Sequence, residues 1–138
     1  MIGLNTAVLV RYIMQDDVAQ SATATNVIET LSIDTPGFIS LVTTVELLWV
    51  LGACYNIKQP QLVSVLKALL QTKVFRVESA DVTWQALRKY RATKADFADC
   101  LIDAVLQEQT ARQEQAALQE QAALQEQADL QEQAVNTR

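Results

Sequence analysis

Hydrophobic residues follow two rhythms along this chain. Short apolar runs, Ile2–Leu4, Phe38–Leu41 and Val74–Val77, are bounded by polar or turn-forming residues and read as strands. Longer stretches bring apolar residues back every three or four positions and read as helices. After Asn5 a helix runs from Thr6 to about Met14. Asp17 suits the N-cap of a second helix through Leu31, with Val18, Ala22, Val27, Ile28 and Leu31 as its apolar positions. Pro36-Gly37 is a turn signal ahead of the second strand. Thr43 or Thr44 caps a helix to about Tyr55, and Pro60 suits the first turn of another through Leu70. Asp81 starts a helix to about Tyr90, and Asp96 one through Val105.

The order β-α-α-β-α-α-β-α-α predicts an α/β fold, a small parallel sheet flanked by helices on both faces. In such sheets ligands gather beyond the carboxyl ends of the strands, where the strand order reverses. Asn5 stands at one such end, which makes its polar side chain a candidate for function.

The pattern changes at Gln107, which divides the chain into a body, 1–106, and an extension, 107–138. The extension repeats every six residues: QEQTAR, QEQAAL, QEQAAL, QEQADL, QEQAVN. A left-handed β-helix also has six-residue repeats, but it needs β-formers and turns that are absent here. Gln, Glu, Ala and Leu favour helix. Six residues turn a helix by about 600°, so Leu118, Leu124 and Leu130 point about 120° apart and build neither a stripe nor a heptad seam. The expectation is an exposed helical continuation of the Asp96 helix, or a partly disordered tail.

Half of the 138 residues are hydrophobic, which excludes a disordered chain and leaves room for one core. No apolar run reaches the roughly 18 residues of a membrane span, and the start has no basic segment of the kind that opens a signal peptide. A cytoplasmic protein without a membrane partner is expected. Cys54 and Cys100 fit no metal spacing and read as reduced core thiols. The absence of histidine removes Ser-His, Cys-His and His-zinc chemistry. Net charge is unevenly spread: from Gln107 on there are six acids and two bases, while the body holds ten acids and nine bases.

Among the acids, Glu46 lies alone in TTVELLWVL. Burying that charge costs several kcal/mol unless it is paired or binds a metal, so either its face reaches solvent or an Arg partners it, or it has chemistry to do. Asp96, Asp99 and Asp103 share one helical face at i, i+3, i+7. Asp96 as N-cap and Asp99 in the first turn also have a purely structural explanation. A polar strand end, a lone acid on an apolar helix and an acid cluster at a helix start together suit a hard cation such as Mg²⁺, which takes oxygen ligands. Two such ions cleave phosphodiesters without histidine. The preceding RKYRATK segment offers Arg88, Lys89, Arg91 and Lys94 to RNA phosphates and Tyr90 as a stacking face, or simply complements a helix dipole.

Three segments, GLNTAVLVRYI, ISLVTTVELLWVL and ADFADCLIDA, give the chain a resemblance to PIN-domain proteins of the VapC toxin type over about Met1–Val105. The resemblance implies an Mg²⁺- or Mn²⁺-dependent endoribonuclease that forms a homodimer and is neutralised by a VapB-like antitoxin. It implies Glu46 and Asp99 as metal-binding catalytic acids, with Asp96 as accessory. The chain departs from the pattern twice. Asn5 and Ala7 stand where the family has Asp and Asn, as in GLDTNVL. The repeat extension stands where a last strand and a fourth polar site belong, as expansion of a short tandem repeat would leave it. The expectation is therefore a ribonuclease with weak Mg²⁺ binding and little activity, the degenerate Asn5 being the main cause. The alternatives are an inactive module that still binds antitoxin, and a repeat-damaged product without function.

Overall fold

The computed structural model describes residues 1–137. Three strands, β1 (Ile2–Gly3), β2 (Gly37–Ile39) and β3 (Phe75–Val77), alternate with pairs of helices. These are α1 (Thr6–Met14), α2 (Val18–Glu29), α3 (Leu41–Cys54), α4 (Gln59–Gln71), α5 (Ala80–Ala92) and α6 (Phe97–Asn136). The strands form one parallel sheet in the order β1-β2-β3, as the alternating pattern predicts.

Two parts of the expectation fail. The strand order never reverses, so the described sheet has no switch point. Nor do helices cover both faces. On one side Leu4, Gly37, Ile39 and Phe75 are buried, with Val77 half-buried and Ile2 exposed at the edge, whereas the row Gly3–Phe38–Arg76 on the opposite side leaves Gly3 and Arg76 exposed and Phe38 half-buried. The reason is topological. Consecutive parallel strands joined by right-handed crossovers receive both connections on the same face.

The covered face explains the glycine of β2. A Cβ at Gly37 would stand 2.6 Å from Leu4 Cδ1 and 2.8 Å from Leu31 Cδ1, so the side chains just past β1 and just past α2 close over this position and would have to shift for any larger residue. Leu9, Leu47, Leu51 and Leu66 complete the core, with α1 packed on α2 and α3, and α4 on α3 and α5.

Several helix details differ from the sequence reading. In α2 the buried residues are Ser21, Ala24 and Ile28, while Val18 and Ala22 are exposed, because the helix turns its small residues rather than Val18 toward α1. The N-cap of α3 is Ser40 rather than Thr43 or Thr44, which places Leu41 in the helix instead of the strand. Asp81 lies within the first turn of α5, whose N-cap position is Ser79. Cys100 is a buried free thiol, but Cys54, at the last turn of α3, is exposed.

The chain divides into two compact units, one ending at Ala104 and one beginning at Val105. In the second unit the repeats are helical through Asn136, and Leu118, Leu124 and Leu130 are exposed, as their spacing around the helix predicts. No helix among the described residues is long and apolar enough to cross a membrane.

Candidate functional site

At the carboxyl end of the sheet each strand runs into a helix through polar residues. Asn5, Ser40 and Glu78 occupy equivalent positions there, one residue past Leu4, Ile39 and Val77. Asn5 Oδ1 accepts from Val8 N at 2.9 Å and is the N-cap of α1. Ser40 Oγ accepts from Thr43 N at 3.1 Å and caps α3. Glu78 Oε1 accepts from Leu41 N at 3.1 Å, adding a carboxylate to the same helix start.

The helix that Ser40 begins is apolar on both sides. Thr44, Leu47, Leu48 and Leu51 are buried. Its opposite side carries Val42, 75% exposed, and Trp49, 66% exposed, with Glu46 between them. This side forms one wall of an open groove of about 770 Å³, closed by Tyr90 from α5 and by Asp96, Phe97 and Leu101 at the start of α6. Tyr90 and Phe97 pack edge to face with centroids 5.7 Å apart. Gln59 Nε2 donates to Tyr90 O at 2.5 Å and Thr93 O at 3.3 Å, fixing the end of α5 beside the groove.

Of the residues singled out from sequence, Glu46 and Asp96 line this groove together. Both are exposed, so the lone acid of α3 is accommodated by its side reaching solvent. Asp99, in the first turn of α6, is exposed and lies outside the groove lining. Asn5 lines a different cleft, of about 250 Å³, between α1 and α2 with Arg11, Gln20 and Thr23. Asp103 pairs with Lys89, whose pKa is raised chiefly by that hydrogen bond.

Arg88, Arg91 and Lys94 are exposed cations, whereas Tyr90, at the groove wall, leaves little of its ring exposed for stacking. Its ring is buried against Phe97, and burial, reinforced by the Asp96 charge, pushes its hydroxyl pKa up.

The donor set for a hard cation is thin. Among the described residues no three His, Cys, Asp or Glu side chains gather closely enough to hold a metal ion. Glu46 and Asp96 supply two carboxylates to one groove, while the Asn5 oxygen is engaged by a helix amide. These residues do not fit a resident metal as they stand.

The residues that sequence reading missed are Trp49, Gln59 and Glu78. Trp49 was legible as an outward position of α3, seven residues after Val42. Gln59 and Glu78 act through contacts 31 and 37 residues away in the chain, which no local pattern encodes.

Comparison with protein-family models, with curated proteins and with solved structures gives no match for this chain.

Proposed function

We propose that this chain is a VapC-like PIN-domain protein whose ribonuclease centre is impaired. The observation that carries the reading is the meeting of Glu46, from the helix after the second parallel strand, with Asp96, from the start of α6, in one open groove. Both elements come from the segments that bear the resemblance, and the order of the sheet is compatible with it. The impairment follows from charge. Asn5 brings no carboxylate: its amide oxygen is a weaker donor than a charged one, since charge-assisted contacts are about twice as strong as neutral ones, and it is engaged by Val8 N in another cleft, which leaves Glu46 and Asp96 as two acids alone. On this reading Mg²⁺ or Mn²⁺ has no resident site and would be met only weakly, through water, by Glu46 and Asp96, with Asp99 outside the groove, while Arg88, Arg91 and Lys94, beside the Asp103-paired Lys89, offer the charge that would meet RNA. Incubation of purified chain with RNA in Mg²⁺ tests this. Little or no cleavage is expected, and efficient cleavage abolished by Glu46→Gln would overturn the impairment.

The groove itself favours a second reading, a module that binds a VapB-like antitoxin without cutting RNA. An exposed Trp on an otherwise apolar wall, with two carboxylates as its only charges, suits an amphipathic helix carrying a cation. Co-purification with a cognate antitoxin separates the two readings from a product without function: Trp49→Ala should abolish the complex, and failure of the unaltered chain to form one at micromolar concentration would count against both binding and toxin pairing. A homodimer belongs to the same proposal and is read by light scattering.

A further inference from the structure

The start of α3 lacks a local anion. Its first turn contains no acid, and Thr43 occupies the position where a capping box has Glu or Gln. Ser40 nevertheless satisfies part of this helix end: its Oγ accepts from Thr43 N and its carbonyl from Thr44 N at 2.9 Å. The amide of Leu41 is taken by Glu78 Oε1, reaching across from the end of β3. Glu78 is itself held in register, because its own amide donates to Ile39 O at 2.8 Å. One residue thus grips the last carbonyl of β2 through its backbone and the first amide of α3 through its carboxylate.

From this geometry we infer that Glu78 is a positioning residue for the groove: a carboxylate supplied from β3 fixes the direction in which α3 leaves the sheet, and with it the placement of Glu46 and Trp49. The carboxylate does two things at once. It satisfies an amide that has no partner within the helix, and it places negative charge at the positive end of the helix dipole. Glu46 lies just over one turn further along, so a change in the first turn of α3 carries directly to it. The value of this placement for metal or RNA rests on the nuclease reading above; the placement itself does not.

The test compares the full-length chain with Glu78→Gln, which keeps an acceptor, and Glu78→Ala, which has none. In the native-state NMR spectrum the Leu41 amide proton should move upfield in the order Glu, Gln, Ala, with its hydrogen exchange rising roughly three- to tenfold in the Ala variant. The Glu46 amide and the Trp49 indole should shift in the same graded order, with partial return in Gln. Uniform destabilisation alone leaves native peak positions unchanged, so it produces no such series. Shifts confined to residues 76–80, with Leu41, Glu46 and Trp49 unmoved, would overturn the inference. Mn²⁺ added to the same samples reads the other question separately. No broadening near Glu46 in the unaltered chain sinks the nuclease reading, whereas the graded shifts still decide the role of Glu78.

Discussion

Asn5 shows how one side chain at the carboxyl end of a strand can answer a purely local need. Its position past β1 suggests a ligand, and its observed work is to cap α1 through Val8 N. Asn and Asp are comparable N-caps, so Asn5→Asp should change stability by less than about 0.5 kcal/mol, while Asn5→Ala should cost about 1 kcal/mol, both measured by urea denaturation. Asp at this position is thus compatible with the fold, and the neutral residue is not needed to build α1. Glu78 is the complementary case, an acid whose partner lies on another element and which sequence periodicity cannot reveal.

The tyrosines give a pH dependence at the same scale. A hydrogen bond to Asp16 raises the pKa of Tyr55, and burial raises that of Tyr90. In both, folding favours the protonated, neutral hydroxyl. Their stabilising effect is complete below the unfolded-state value of 10.0 and is lost as pH rises through the higher folded values. Lys89 acts in the same direction from 10.5, its raised pKa favouring the charged form that meets Asp103. Thermal stability should therefore fall as pH is raised above about 10, and Tyr55→Phe should reduce that fall; a flat alkaline profile contradicts the assignment.

Among the elements, the strands test how tightly the covered face is packed. Gly37→Ala drives a methyl into Leu4 and Leu31 and should destabilise by about 1–3 kcal/mol. Gly3→Ala, with nothing within 4 Å of the new Cβ, should be neutral or slightly stabilising. Denaturation of both variants checks the asymmetry between the two faces of the sheet. Element type and order were legible in the chain because apolar runs bounded by turn residues and helix-period stretches are local signals. The bounds of α1 and the Asp17 cap were read directly. The one-sided cover was not, because it depends on how consecutive crossovers stack rather than on any segment's own pattern. The cap of α3 was misread because Ser40, Thr43 and Thr44 are all competent caps, and only the register with Glu78 and Ile39 selects Ser40. At the site, Glu46 was legible as a lone acid on an apolar helix and Asp96 as part of an acid cluster at a helix start, while the separation of Asn5 into another cleft required the folded chain.

On the scale of the whole molecule, two units carry different kinds of sequence information. Among the described residues, every buried hydrophobic side chain lies at or before Ala104. The repeats from Gln107 spell out a helix with no preferred face, and Leu118, Leu124 and Leu130 remain 65%, 60% and 59% exposed. Replacing the three by Ser should leave the melting temperature within a few degrees and the oligomeric state unchanged, as calorimetry and light scattering would show. A change of oligomer would reveal that the leucines make a contact their spacing argues against. The central claim concerns the other unit and belongs to the proposal above: that Glu46 and Asp96 are two acids of one groove left short of the donors a cation needs. Paramagnetic broadening by Mn²⁺ compares the chain with Asn5→Asp most directly. The account predicts weak broadening at the amides of Glu46, Asp96 and Asp99 in the unaltered chain, and broadening at lower Mn²⁺ in the Asp variant. Broadening confined to the acids of the repeat helix in both proteins would contradict it.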